Sequence, residues 1–213
     1  MILLCLALNV VWMVSCSQLA SSSWKTAAAL IALDLLIMGG FAARRRDAVL
    51  GGLLVGGLMF GVVELAADAY LVSVAKTCDF SIDGGSPKLW CSPLYMPLAW
   101  QVVVAQIAGI SLYLHDRWRW QGLLAAGLFG AASMPVYEEM ARLAKWWQYS
   151  DCLMIHNTPV HEIVAYVVIM QAIAWAAPRL QNPSHRLLRA ATLGVIGGLV
   201  TLAAFVITYR LIG

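Results

Sequence analysis

The sequence predicts an all-α, polytopic membrane protein, a bundle of seven transmembrane helices. Three observations carry this reading. The chain is 62% hydrophobic and 12% charged, about half the charged fraction of a soluble domain. Seven apolar stretches approach the roughly 20 residues that cross a bilayer. None shows the short alternation of a membrane barrel strand. With so little polar surface, residues 1–213 read as one integral membrane domain, and the formal charge of +3 carries no nucleic-acid footprint.

The predicted spans are 2–19, 24–43, 48–74, 94–114, 121–147, 160–177 and 188–211. The first resembles a signal peptide, with Met13-Val14-Ser15-Cys16 as a weak lipoprotein-type site. No Lys or Arg precedes its apolar run, and a signal needs a basic start; it is read as a retained helix. The second ends in Arg44, Arg45 and Arg46. Arg117 and Arg119 follow the fourth, and Arg179, Arg186 and Arg189 follow the sixth. Basic loops stay cytoplasmic. The N-terminus is therefore expected in the cytoplasm and the C-terminus outside, in a cell (inner) membrane.

The longest connection, 76–95, is then external. Asp83-Gly84-Gly85-Ser86-Pro87 marks a turn within it. Cys78 and Cys91 share this loop, where an oxidising compartment permits a disulfide; a bridge and two free thiols both stay open. Glycines cluster at 51–57, 122–130 and 194–198, where small residues let helices approach closely.

Six of the eleven acidic residues fall in or at the edges of the spans: Asp34, Glu64, Asp68, Glu138, Glu139 and Glu162. A charge at mid-membrane costs at least about 2.5–3.5 kcal/mol, so an intramembrane acid is a functional hypothesis by default. Glu64 and Asp68 are four apart and share a helix face. Two carboxyls in a low dielectric do not both ionise, and a protonated one is a competent general acid. The bland alternative has Asp68 facing headgroups at a helix end. Glu138 and Glu139 differ by about 100° in direction, and either can reach Arg142. Glu162 follows Pro159, where a first-turn carboxylate also suits the helix dipole. Pro135 should kink its helix. Five of the six acids fall toward the external side. Asn157, Trp146, Trp147, Tyr137, Tyr70 and Gln101 lie at similar depth and are candidate substrate contacts. Asp34 stands apart.

Several chemistries lack their motifs. There is no Glu-x-x-His pair for a di-iron site. His161-Glu162 begins a zinc-protease motif, but Ala165 occupies the second histidine position. No Gly-x-Ser-x-Gly elbow and no Asp-Asp-x-x-Asp run occur, and the last span has no lysine for a retinal Schiff base. No metal and no cofactor are expected.

Pro135-Val-Tyr-Glu138-Glu139 resembles the Pro-x-Glu-Glu region of the carotenoid hydratase and heterodimeric lycopene cyclase group, with one extra residue. Glu64 is similar in placement to the early-helix glutamate of the fungal meroterpenoid cyclases, which the bacterial indole-sesquiterpenoid cyclases also resemble. These integral-membrane terpenoid cyclases use intramembrane acids to protonate an alkene or epoxide. The last span here lacks the aspartate of the fungal pattern, so Glu139 or Glu162 would supply a second acid. The resemblance implies a terpenoid cyclase, or a related isomerase or hydratase, acting on a lipid-soluble isoprenoid within membrane lipid. Glu64 and Glu139 would be its acid and base, with Asp68, Glu138 and Glu162 beside them. Two rivals are a proton-coupled small-molecule transporter and a non-enzymatic assembly subunit whose acids pair with a partner. The oligomeric state is open.

Overall fold

A computed structural model describes residues 1–213. It contains six α-helices: α1 (Ile2–Ser17), α2 (Trp24–Arg45), α3 (Ala48–Tyr70), α4 (Met96–Leu143), α5 (Val160–Ala176) and α6 (Arg186–Ile212). The expectation of seven separate helices is corrected here, because the fourth and fifth expected spans form one 48-residue helical run. A straight helix of that length would reach about 72 Å. The run instead breaks at Arg119, whose φ of 51° and ψ of −128° leave the helical region. A Cβ placed on Gly122 would meet the Leu114 carbonyl, and one on Gly130 would meet Ile107. Those pairs are centred on residue 118, so limbs 96–118 and 120–143 run antiparallel against each other.

Local sequence explains where the helices start. Asp47 caps α3, its Oδ1 accepting from the amides of Val49 at 3.1 Å and Leu50 at 3.0 Å. At the start of α2, the Thr26 hydroxyl donates to the Ser23 carbonyl at 2.7 Å. The end of α3 loosens into a π-helical turn, Leu71–Ala75, which carries the chain into the 76–95 connection.

α3 is the central helix, packed most extensively on α6 and α4, while α5 fills the space between α4 and α6. The close approach of α3 to α4 depends on two glycines. A Cβ on Gly57 would lie 2.7 Å from the Gln101 carbonyl oxygen, and one on Gly61 would collide with the Pro97 carbonyl. α1 and α2 pack at the edge, tied in by Trp12 and Trp146, whose Nε1 atoms donate to the Thr26 carbonyl and hydroxyl, each at 3.0 Å.

Five helices are long and apolar enough to cross a membrane, consistent with a membrane protein. α1, with 16 residues, spans about 24 Å, short of the roughly 30 Å hydrocarbon core. The arginines at 44–46, 117, 119, 179, 186 and 189 gather at one end of the bundle. The opposite end carries a cap of three short antiparallel pairs. β1 (Cys78–Asp79) pairs with β4 (Gln148–Tyr149), β2 (Lys88–Leu89) with β3 (Ser92–Pro93), and β5 (Met154–Ile155) with β6 (Thr158–Pro159). The molecule's one ion pair lies in this cap, Lys88 Nζ to Asp83 Oδ2 at 3.0 Å.

The disulfide considered between Cys78 and Cys91 does not form; both are free thiols. Cys78 is buried in the β1–β4 pair, whereas the Cys91 sulfur turns to the Ser73 hydroxyl at 3.4 Å.

Candidate functional site: a buried carboxyl cluster beneath the cap

Four carboxyls converge under the cap. Glu64 and Asp68 come from α3, Glu138 from α4 and Glu162 from α5, and none is more than 6% exposed. Asp68 therefore faces inward rather than toward headgroups. Its Oδ2 accepts from the Ser92 hydroxyl of β3 at 2.7 Å. Glu64 neighbours both Asp68 and Trp100, and its Oε2 is buried without a hydrogen-bond partner.

Glu138 and Glu162 share one phenol. Tyr166, one turn beyond Glu162 on α5, places its hydroxyl 2.5 Å from Glu138 Oε1 and 3.0 Å from Glu162 Oε2. A phenol carries one proton, so one of these two contacts is completed by a proton on a carboxyl donating back to the phenol oxygen. Glu138 Oε2 also accepts from Trp147 Nε1 at 2.6 Å. Neither Glu138 nor Glu139 pairs with Arg142, which is exposed and makes no ion pair.

A partly open cavity lies among these groups. Glu64, Asp68 and Glu138 form its acidic wall, and Tyr166 links that wall to Glu162. Aromatic faces make up much of the remainder. Trp100 and Tyr137 come from the two limbs of α4, Phe205 from α6, and Phe80, Trp147 and Tyr149 from the cap. Tyr137 and Trp147 pack with ring centroids 5.7 Å apart, and Phe80 stands edge-on to Trp147 at 6.2 Å. No group of three His, Cys, Asp or Glu side chains is placed to hold a metal ion.

The cap's own titrating groups respond to their settings. Burial beside the carboxyls pushes the Tyr149 phenol and the Cys78 thiol well above their usual ranges. Burial alone would raise Asp83, but bonds from the Ser86 hydroxyl and amide, together with Lys88, hold its carboxyl below the usual 3.8.

Several expected site residues lie elsewhere. Glu139 points away from the cavity and hydrogen-bonds Asn157, so the choice between adjacent glutamates resolves to Glu138. Trp146 is buried against α2. Gln101 donates to the Leu54 carbonyl at 2.9 Å, a tie between α4 and α3. Tyr70 packs edge-on to Tyr209 at 6.0 Å. Asp34 is fully buried near Asn9 and Cys5, outside the cluster. His161 is buried as well as Glu162, with neither ring nitrogen bonded and Tyr209 edge-on at 5.3 Å.

Tyr166, Trp100 and Ser92 join the site without having been singled out from sequence. Tyr166 had an available signal, since it stands four residues from Glu162 on the same helix face. Ser92 had none, because its position depends on how the cap folds.

Comparison with curated proteins and with solved structures gave no match. A family defined by a domain of unknown function, DUF6989, matches residues 65–212. The match begins one residue after Glu64 and takes in Asp68, Glu138, Glu162 and Tyr166. It covers well over half of the chain, and the protein belongs to the DUF6989 family.

Proposed function

We propose that the protein is a membrane-embedded terpenoid cyclase, or a related isomerase, that uses its buried carboxyls to protonate a lipid-soluble isoprenoid. The observation that carries this reading is the pairing of an acidic wall with an aromatic one in a single cavity, with no cation against the acids. Glu64 is the proton donor. Its O–H bond breaks as the π electrons of a terminal alkene, or an epoxide oxygen, take the proton. The resulting carbocation is attacked by the next double bond, closing a ring. Loss of a C–H proton to a carboxylate of the cluster, with Asp68 nearest, ends the sequence. The net change is an isomerisation that needs no oxidant. Trp100, Tyr137, Trp147 and Phe205 offer π faces to the cation, and the cap keeps water from trapping it.

In this reading limbs 96–118 and 120–143 cross the bilayer separately and the short α1 crosses where the bilayer thins around it, giving seven crossings. The arginine-rich end is cytoplasmic, with the N-terminus there and the C-terminus and cap outside. The burial of the acids supports an enzyme over an assembly subunit, which would present acids on its rim. Their grouping beneath the cap supports it over a carrier, whose relay would distribute them through the bilayer.

The test is product analysis from membranes supplied with a long polyprenoid and with its terminal epoxide. Wild type should give a ring-closed isomer, and Glu64→Gln and Glu138→Gln should lose it. Full activity in both variants would sink the proposal.

A further inference from the structure

A second, partly open cavity lies in the other half of the bundle, with no charged residue in its wall. It sits between the arginine-rich halves of α3, α5 and α6, against the middle of α4's first limb. Leu53, Val104, Ile173 and Leu180 line it, and Gly56 and Gly194, also in its wall, let the α3 and α6 backbones approach closely beside it.

Its relation to the carboxyl cavity is set by two rings. Trp100 lines the acidic cavity and Phe60 lines the apolar one, with centroids 5.1 Å apart. One layer of aromatic side chains separates the two spaces. Phe60 is one helical turn from Glu64, and Leu53 is eleven residues from it, about 16 Å along α3. The acids and the apolar chamber are thus stacked along one helix. The chamber also meets the outer surface of the bundle at Ile196, a wall residue that is 50% exposed. A lipid-soluble chain has a lateral way in there.

We propose that this chamber holds the unreacted isoprenoid tail of the substrate while the reactive terminus lies against Glu64, with Phe60 and Trp100 forming the throat between them. This rests on reading the acidic cavity as the place where an isoprenoid is protonated. It adds a chain-length limit: the tail must fit between the throat and Leu180. Branched, unsaturated hydrocarbon is the chemistry the wall selects, because it offers no polar partner to a headgroup. Ala172 and Ala176 line the chamber and are half-buried, so larger side chains there would fill it without crossing the acidic site.

The experiment is photolabelling of the purified protein in nanodiscs, which requires no turnover. One probe is a geranylgeranyl chain with a diazirine in place of its hydroxyl, at the end opposite the terminal alkene that meets Glu64, and the other is a phosphatidylcholine with a diazirine on an acyl chain. Peptide mass spectrometry locates the adducts. The polyprenyl probe should label chamber residues between 172 and 200, and Ala172→Phe or Ala176→Phe should abolish that labelling. The two variants guard against misfolding of either one. Labelling confined to outward-facing side chains such as Leu187 and Leu199 would overturn the proposal. So would equal chamber labelling by the phospholipid probe, which would make the occupant an ordinary bilayer chain. Chamber labelling without any cyclised product would defeat the catalytic reading alone, and cyclised product without chamber labelling would defeat the chamber alone.

Discussion

Tyr166→Phe removes one hydroxyl from the carboxyl cluster and nothing else. In the native site that hydroxyl is 2.5 Å from Glu138 and 3.0 Å from Glu162. Glu138 keeps a second donor, the Trp147 indole at 2.6 Å. Glu162 keeps only the neighbouring Tyr149 phenol, and its other oxygen is already buried without a partner. A buried polar group left unsatisfied costs about 1–3 kcal/mol. Two weakened carboxyls should therefore destabilise the protein by about 2–4 kcal/mol. Trp147→Phe removes the other donor to Glu138 and should cost about 1–3 kcal/mol. Combining the two leaves Glu138 only the Tyr149 phenol, so the double variant should exceed the sum of the single losses by about 0.5–3 kcal/mol, as for residues in one network. Reversible unfolding in mixed micelles of rising dodecyl sulfate fraction, followed by circular dichroism, measures all three. A Tyr166→Phe loss under about 0.5 kcal/mol, or simple additivity in the double variant, would show that the phenol does not hold these carboxyls together.

Further outcomes follow from the same geometry. Gly57→Val should cost at least about 1–3 kcal/mol as overpacking, because even a Cβ there lies 2.7 Å from the Gln101 carbonyl oxygen; wild-type unfolding of this variant would contradict the close α3–α4 crossing. Glu139→Gln should retain the activity that Glu138→Gln loses, since Glu139 bonds Asn157 rather than the cavity, and equal losses would put Glu139 back in the site. Asp83 sits below its usual 3.8, so the folded cap binds its proton less readily than the unfolded chain does. Its contribution is complete above about pH 4 and is lost as pH falls through the lower folded value; hydrogen exchange of the 76–95 amides should accelerate in that acid window, and exchange unchanged down to pH 2 would contradict it. Single cysteines placed at Arg46, Arg117 and Arg186 in a cysteine-free background should all be shielded from an impermeant thiol reagent in intact cells, while one at Lys88 reacts. Labelling of the arginine end would reverse the topology.

How much of this was legible in the sequence depends on whether local or distant residues decide a feature. Helix starts such as Asp47 are local, and so are the long apolar runs. The turn at Arg119 was legible as a boundary, since the fourth expected span ends at 114 and the fifth begins at 121. The depth of Glu64, Asp68, Glu138 and Glu162 could be counted along their helices. The direction of a side chain in a helix apolar on every face could not, because periodicity marks no inward side. That is why Glu138 and Glu139 stayed equivalent until α5 and Trp147 were in place around one of them. The cap is the least legible part. β1 and β4 lie about seventy residues apart, and their pairing brings Tyr149 beside the acids. The alternation of two-residue strands is too short to read.

Heavy water gives the most direct test of proton-initiated chemistry at Glu64. Membranes containing the wild-type chain, incubated in D2O with a polyprenoid ending in an alkene, should yield a ring-closed product carrying one deuterium on the former terminal carbons. Glu64→Gln membranes should yield none. A cyclised product without deuterium, or deuterated product undiminished in Glu64→Gln, would contradict the proton transfer on which the proposed function stands.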